Sequence, residues 1–340
     1  MTNMMDVEKT SLIPTWQQEL QSAFIDIDQL LTYLQLKNSD LTLHRTASKG
    51  FPLLVTRSYA DRIKKSDWND PLLLQVLPQP DELQQHPSYL NDPVGDAQAS
   101  VLPGLIHKYH GRALIITTGA CAIHCRYCFR REFPYSDNSA NRSQLNSINH
   151  YLSQHKEVTE VILSGGDPLT LSDSRFRHLI ESLSKNHQIE RIRIHSRLPI
   201  VLPSRITKGL LNTLNASSKK IILVIHANHA NELTNEVADV LFALKQIEVT
   251  LLNQTVLLKG INDNANTLIQ LSLRLFECHT LPYYLHTLDK VSGAMHFDSG
   301  ITNTYKIYQQ VQTQLPGYLV PKLVSEDAGQ PFKTILPTND

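Results

Sequence analysis

The sequence predicts an α/β fold in which six parallel strands alternate with helices and form a partial barrel. From residue 112 onward, short apolar or β-branched runs alternate with amphipathic stretches at the repeat length of βαβ units. Polar, glycine-rich segments directly follow the first strands, where barrels of parallel strands carry their functional loops. The 340 residues are enough to bury a core of that size. Six such units also suit an open sheet.

Three segments are expected along the chain. Residues 1–105 form a helical and then loop-rich extension, because helical patterns at 16–24 and 27–36 give way to six prolines between residues 71 and 103. Residues 106–315 form the barrel, and residues 316–340 form a short C-terminal segment. The barrel strands are expected at 112–117, 158–163, 191–195, 220–225, 249–256 and 282–285. The helices are expected at 143–154, 172–184, 207–214, 232–245, 265–278 and 302–315.

Composition argues against nucleic-acid and membrane partners. The 32 Lys and Arg residues balance the 32 Asp and Glu residues, so the chain lacks the positive charge that attracts nucleic acid or anionic lipid. No apolar run reaches the roughly 18 residues of a membrane-spanning helix. The first nine residues lack the apolar region of a secretory signal, and four cysteines suit a reducing compartment. We therefore expect a soluble cytoplasmic protein.

Three of the four cysteines, Cys121, Cys125 and Cys128, follow the spacing Cys-x3-Cys-x2-Cys. Three thiolates can hold a [4Fe–4S] cluster and leave one iron open to a second molecule. A structural zinc site usually takes four ligands in two separated pairs, and the sequence has no second Cys-x2-Cys. Cys278 lies far away in an expected helix and is interpreted as a small buried hydrophobe. From the residues alone, a non-catalytic iron–sulfur or zinc protein is the alternative.

The cysteine spacing, with Tyr127 before the last cysteine, resembles the signature of the radical S-adenosylmethionine (SAM) enzymes. The resemblance implies a radical SAM barrel whose open iron binds SAM and whose cluster cleaves it to a 5′-deoxyadenosyl radical. It also implies SAM contacts from Gly165, Gly166 and Asp167, after the second strand, and from Gln254. Without the resemblance, an ordinary strand-to-helix turn with Asp167 as the helix cap explains the glycine-rich segment equally well.

Further blocks, at 196–206, 252–263 and 317–321, resemble the lysine 2,3-aminomutases, which are radical SAM enzymes that also use pyridoxal phosphate (PLP). The resemblance runs from about residue 108 to residue 334. It implies that the amino group of L-lysine moves from Cα to Cβ, which gives β-lysine. Aminomutation of another amino acid, such as glutamate, is the alternative within this class.

The resemblance also implies the residues that hold PLP. PLP needs a lysine amine, and Lys322 and Lys333 are the two candidates near the C-terminal end. Counting from residues 317–321 assigns the aldimine to Lys333, although only Gly329 remains of the glycine run that the family carries before it. The PLP phosphate is expected to contact Lys108, Arg112 and Arg197, and Lys108 replaces an arginine of the family.

The same resemblance assigns the substrate contacts. Arg130 is expected to bind the α-carboxylate, while Asp289 and Glu326 bind the ε-ammonium, with Glu326 in place of an aspartate. A pair of acids in a pocket argues against glutamate as the substrate. The short form of the chain resembles the bacterial aminomutases that supply (R)-β-lysine for modifying elongation factor P. That likeness implies a functional link to this factor and its β-lysine ligase, and an electron donor such as flavodoxin or ferredoxin.

Overall fold

The structure of the protein, a computed structural model, describes residues 15–37, 40–135 and 142–337, with residues 142 and 143 described by their backbone alone. The first nine residues, in which no secretory signal is expected, lie outside the described residues. Across the described part of the chain, none of the helices combines the length and apolar character that crossing a bilayer requires.

One open sheet carries the described strands in chain order. Each neighbouring pair from β3 to β9 is parallel, whereas β1, β2 and β3 pair antiparallel, as do β9 and β10. The predicted α/β partial barrel is confirmed, with β9 as an additional parallel strand. The strands are β1 (Ser100–Leu102), β2 (Leu105–Tyr109), β3 (Arg112–Thr118), β4 (Glu160–Gly165), β5 (Arg191–Ser196), β6 (Lys220–Ile225), β7 (Thr250–Val256), β8 (Leu281–His286), β9 (Lys322–Ser325) and β10 (Thr334–Ile335).

Helices precede the sheet and connect its parallel strands. Those in the N-terminal extension are α1 (Trp16–Gln21), α2 (Ile27–Tyr33), α3 (Thr42–Gly50), α4 (Arg57–Ala60) and α5 (Pro71–Leu74). Those between and after the parallel strands are α6 (Arg142–Gln154), α7 (Asp173–Ser184), α8 (Leu198–Val201), α9 (Lys208–Asn215), α10 (Asn235–Gln246), α11 (Ala265–Glu277) and α12 (Ile301–Gln314).

Side-chain caps explain where the barrel helices begin. Ser172, Thr207, Thr234 and Asn264 each accept a hydrogen bond from a backbone N–H of the first turn of α7, α9, α10 and α11, respectively. The predicted bounds agree to within about two residues, except that α10 begins three residues after the expected position 232. A short 3-10 turn precedes it, and the turn directs Glu232 into the interior.

The sequence patterns missed α3, α4, α5 and α8, the antiparallel strands β1, β2 and β10, and the parallel strand β9. These elements are short, and distant parts of the chain hold them in place. The largest hydrophobic cluster runs from Trp16 to Cys278, so the extension and the barrel share one core. Cys278 is fully buried, which confirms its interpretation as a core residue. The division of the chain at residues 105 and 315 stays a prediction.

Alternation along the strands gives the barrel a polar interior. In β5, Ile192, Ile194 and Ser196 are buried, while Arg191, Arg193 and His195 are half-buried on the opposite face and line a cavity. A strand in a parallel sheet is usually apolar on both faces. The charged inner face of β5 therefore marks a ligand-binding interior.

Candidate active site

A single cavity of ≈ 800 Å³ lies where the N-terminal extension meets the barrel. Every residue that the resemblance assigned to a cofactor or substrate lines it, although those residues come from opposite ends of the chain; Lys322, the other candidate for the PLP lysine, is exposed to solvent instead. They are Lys108, Arg112, Cys121, Cys125, Cys128, Arg130, Gly165, Gly166, Asp167, Arg197, Gln254, Asp289, Glu326 and Lys333. The structure therefore brings the predicted residues together. Their hydrogen bonds and ion pairs show which of them have donors or acceptors left for a ligand.

The N-terminal extension holds the cysteine loop, which follows β3. Buried Glu82 accepts hydrogen bonds from Arg126 Nε at 2.8 Å and Nη2 at 2.5 Å, and from Arg131 Nη2 at 2.9 Å. The backbone N–H of Arg126 donates to the carbonyl of Gln75 at 2.9 Å. Because Arg126 and Arg131 flank Cys128 in sequence, these contacts position the loop from outside the barrel.

The three thiols share one wall of the cavity. Burial is the main reason why the pKa of Cys128 rises to about 11 and that of Cys121 rises above its ordinary value, and the neighbouring thiols add to both shifts. In the described residues, no three His, Cys, Asp or Glu side chains are already arranged as a metal site. A bound metal ion deprotonates a coordinating thiol, so iron would lower the thiol pKa values that burial raises. Three thiols facing one cavity fit the three protein ligands of an open-iron cluster.

The glycine-rich turn after β4 packs directly on the cysteine loop. Gly166 N donates to Thr118 O and Asp167 N to Ala120 O, both at 2.8 Å. A Cβ atom at Gly166 would overlap the carbonyl of Ala120, and Gly165 has a φ of +123°. These glycines are therefore required for close packing of two backbone segments.

The carboxylate of Asp167 is occupied by protein donors, which differs from the SAM contact expected for it. It accepts hydrogen bonds from Ser196 Oγ and Arg197 N at 2.8 Å, from Leu169 N at 3.0 Å and from Leu198 N at 3.2 Å. Burial outweighs these hydrogen bonds and raises the pKa of Asp167 to about 6. Asp167 caps the short 3-10 turn that follows it. Its side chain therefore acts as the turn cap that the residues alone suggested.

Lys108 joins two acids in the same cavity. Its Nζ donates to Val94 O at 2.8 Å and lies 2.5 Å from Asp96 Oδ1 and 3.3 Å from Glu326 Oε1. An ammonium has three N–H donors, and these three partners use all of them. The contacts of Lys108 differ from those expected of a phosphate ligand, because they hold Asp96 and Glu326 in place.

Each of the two acids that contact Lys108 also pairs with a second cation. Asp96 Oδ2 accepts from Arg130 Nε at 2.7 Å, and Glu326 Oε2 accepts from Lys333 Nζ. Burial alone would raise the pKa of Glu326, but the nearby cations Lys333 and Lys108 outweigh it and lower this pKa to about 2. Glu326 is therefore an ionised carboxylate in contact with the amine of Lys333, the residue to which the resemblance assigned the PLP aldimine.

Asp289 lies in the same cavity without a cation of its own. Its side chain forms no hydrogen bond or ion pair with the other described residues. Burial, and then repulsion by Glu326, raise the pKa of Asp289 to about 7. Asp289 is half-buried, and an acid withdrawn from solvent without a partner is costly, so this position fits a ligand that brings a positive charge.

Sequence comparison identifies the family of the chain. The sequence profile of the radical SAM superfamily matches residues 115–271. The L-lysine 2,3-aminomutase of Escherichia coli is 46% identical over 322 residues, which cover 94% of each chain. The enzymes of the same name from Buchnera aphidicola and Haemophilus influenzae are 43% and 42% identical and cover 96% and 95% of those proteins, respectively. The chain belongs to the lysine 2,3-aminomutase family. This membership removes the alternative of a non-catalytic iron–sulfur or zinc protein.

A radical SAM methyltransferase from Sphaerobacter thermophilus superposes over 66% of this chain and 72% of its own. Its TM-score is 0.46 at 13% identity, which is too distant a likeness to carry an argument. Membership of the radical SAM superfamily implies the [4Fe–4S] cluster and SAM. The chain is accordingly a radical SAM enzyme of the aminomutase kind.

Several residues in this aminomutase cavity escaped the sequence patterns. His195, His226 and His286 each bury an Nε2 atom that has no partner among the described residues, and the same holds for Gln254 Oε1 and Arg193 Nε. Burial is the first cause that keeps these histidines neutral, and it lowers the pKa of His226 to about 3. The alternating Arg191, Arg193 and His195 of β5 were the available signal. Unsatisfied buried donors and acceptors indicate a polar ligand in the cavity.

The arginines of the cavity differ in how many of their guanidinium N–H donors already have a protein partner. The guanidinium of Arg112 has no hydrogen-bond partner in the described part of the chain and lies 4.4 Å from the centre of the Tyr109 ring. Arg193 contacts Glu160 and leaves Nε unpaired. Arg197, which was expected beside Lys108 and Arg112, instead contacts Cys125 and Glu232. Arg112 and Arg193 therefore keep donors for a phosphate away from the cysteine loop. The Nε atoms of Arg197 and Arg131 also lack a hydrogen-bond partner among the described residues, but they belong to side chains that contact Cys125 and Glu82, respectively.

Proposed function

We propose that this enzyme converts L-α-lysine to (R)-β-lysine by moving the amino group from Cα to Cβ, with a [4Fe–4S] cluster, SAM and PLP. The observation that carries the proposal is one cavity that joins three thiols to a half-buried acid without a cation, Asp289, and to a lysine amine paired with an acid. The names of the E. coli, Buchnera and Haemophilus relatives support the same substrate.

The donor sets fit the groups that the proposal requires. Cys121, Cys125 and Cys128 would hold the cluster, and Lys333 would bind PLP, with its phosphate at Arg112 and Arg193. SAM would lie between the cysteine loop and Gln254, whose Oε1 has no partner among the described residues. When bound, SAM at the cluster supplies a carbon-centred radical that removes hydrogen, and PLP supplies a π-system across which nitrogen moves.

Residues of this chain would orient the substrate by its charges. Arg130 is held through Nε by Asp96 and through Nη1 by Ser164 Oγ at 2.9 Å, and its Nη2 has no hydrogen bond to other described residues. That donor would bind the α-carboxylate. Glu326 lines the same cavity as Asp289 and would join it in binding the ε-ammonium. Two anions at that end of the cavity favour lysine over glutamate.

Anaerobic turnover tests this proposal. The reconstituted enzyme is incubated with SAM, PLP, dithionite and either L-lysine or L-glutamate, and the products are resolved by chiral chromatography. We expect (R)-β-lysine from lysine, with no product when PLP is removed. Preferential turnover of glutamate, the (S) product, or full activity without PLP would overturn the corresponding part of the proposal.

We further propose that the enzyme acts in the cytoplasm, receives its electron from a flavodoxin or ferredoxin, and supplies β-lysine to the ligase that modifies elongation factor P. The higher identity to the E. coli relative supports this role, since that relative is 46% identical and the Clostridium subterminale enzyme is 32% identical. Mass spectrometry of elongation factor P from cells lacking this enzyme should show loss of the β-lysyl group, which added (R)-β-lysine restores. An unchanged factor would overturn the link.

A further inference from the structure

Arg197 forms a direct contact with one of the three cysteines. It directly follows β5, and its buried guanidinium donates from Nη1 to Cys125 Sγ at 2.8 Å. An arginine remains protonated inside a protein, so this donor carries a full positive charge. A charge-assisted hydrogen bond to sulfur therefore lies at the position where the cluster is to be held.

A set of buried partners fixes the orientation of this guanidinium. Nη2 of Arg197 donates to Glu232 Oε2 at 2.8 Å, to Gln75 Oε1 at 2.7 Å and to Tyr59 OH at 3.3 Å. Its backbone N–H is held by Asp167. Glu232 is fully buried, so Arg197 and its counter-ion are shielded from solvent screening.

Glu232 is itself held in place. Its Oε1 accepts hydrogen bonds from Asn228 N at 2.8 Å, from His229 N at 3.1 Å and from Gln75 Nε2 at 3.2 Å. This acid is therefore fixed in an ion pair with Arg197, and Gln75 from the N-terminal extension connects both side chains. The guanidinium of Arg197 therefore lies between Cys125 Sγ and the carboxylate of Glu232 and contacts both.

We propose that Arg197 and Glu232 set the reduction potential of the iron–sulfur cluster in opposite directions, Arg197 through its hydrogen bond to Cys125 Sγ and Glu232 through its negative charge. Hydrogen bonds to ligand sulfur and nearby charge are established determinants of cluster potential. A donor on sulfur stabilises the reduced cluster, which carries one more negative charge, whereas a buried anion destabilises it. The inference rests on the cluster of the radical SAM family and is independent of the amino acid that the enzyme acts on.

Redox titration of the cluster followed by electron paramagnetic resonance tests this proposal. Wild type, Arg197→Gln, Arg197→Lys and Glu232→Gln are reconstituted anaerobically and titrated without SAM, so that the cluster alone responds. We expect Arg197→Gln to shift the potential to more negative values and Glu232→Gln to shift it to more positive values. Arg197→Lys keeps the charge without the planar fork and should fall between wild type and Arg197→Gln.

Arg205→Gln is the matched control. Arg205 is also fully buried and pairs with an acid, Asp173, at 2.7 Å, but its other hydrogen bonds go to the carbonyls of Leu169 and Leu171 and not to a cysteine. We expect its cluster potential to equal that of wild type. Iron analysis accompanies each titration. Shifts of the same sign in Arg197→Gln and Glu232→Gln would overturn the proposal. So would loss of iron from Arg197→Gln with unchanged potentials in Arg197→Lys and Glu232→Gln.

Discussion

Glu82 and Arg126 form a two-pronged buried ion pair, in which Nε and Nη2 of the arginine donate to the two carboxylate oxygens at 2.8 and 2.5 Å. The pair joins the N-terminal extension to the cysteine loop. It gives the extension a function that the sequence left unexplained, because it orients the loop that is to hold the cluster.

Removing the charge of Glu82 should destabilise the protein. Glu82→Gln leaves the buried guanidiniums of Arg126 and Arg131 without a counter-ion, which costs about 3–5 kcal/mol in the free energy of unfolding. The control is Glu190→Gln, whose ion pair with Arg191 is exposed and contributes about 1 kcal/mol or less. Chemical denaturation measures both, and equal losses would contradict the anchoring role of Glu82.

A methyl group at Gly166 should separate the glycine-rich turn from the cysteine loop. In Gly166→Ala the new Cβ overlaps the carbonyl of Ala120, which is backbone and cannot rotate away. We expect most of the iron and sulfide to be lost after reconstitution. Gly317→Ala is the matched control, because nothing lies within 4 Å of the added Cβ and its φ is ordinary. Full cluster content in Gly166→Ala would contradict the packing argument.

The two candidate PLP lysines can be separated by absorption spectroscopy. Lys333 Nζ lies in the cavity against Glu326, whereas Lys322, in β9, is exposed to solvent. We expect the visible PLP band to disappear in Lys333→Ala and to persist in Lys322→Ala. Retention of the band in Lys333→Ala would overturn the assignment of the PLP lysine.

The affinity for lysine should rise with pH because of Asp289. The raised pKa of about 7 means that Asp289 is neutral below that pH and negative above it, while the ε-ammonium of lysine stays protonated to about pH 10. KM for lysine should therefore fall on the order of tenfold between pH 6 and pH 8, in keeping with one added charge interaction. Glu326 is ionised throughout this range.

Steady-state kinetics of Asp289→Asn provides the control for this pH effect. Asparagine cannot ionise, so KM should be high and nearly constant between pH 6 and pH 8. The same pH dependence in wild type and Asp289→Asn would show that another group titrates, and the assignment of Asp289 to the ε-ammonium would then be wrong.

Local patterns carried most of the fold and the position of the cysteine loop. Alternation with period two and amphipathic spacing depend on residues close together along the chain, so the six predicted barrel strands are confirmed with small shifts at their ends. The two different faces of β5 were also visible in the sequence as alternating charged and apolar residues. Only the cavity showed that the charged face points towards a binding site. The short strands β1, β2, β9 and β10 at the two ends of the sheet were missed because their stability comes from pairing with other segments of the sheet.

The sequence by itself determined the α/β class and the cysteine spacing, and the family resemblance predicted part of the set of residues that line the cavity. Only the tertiary structure decided the partners of the buried charges. Arg197 was expected beside Lys108 but lies against Cys125, and Lys108 binds Glu326, which is 218 positions away along the chain. The physical reason is that a buried charge must find a counter-ion from whichever segment packs against it, and that choice depends on how the loops meet.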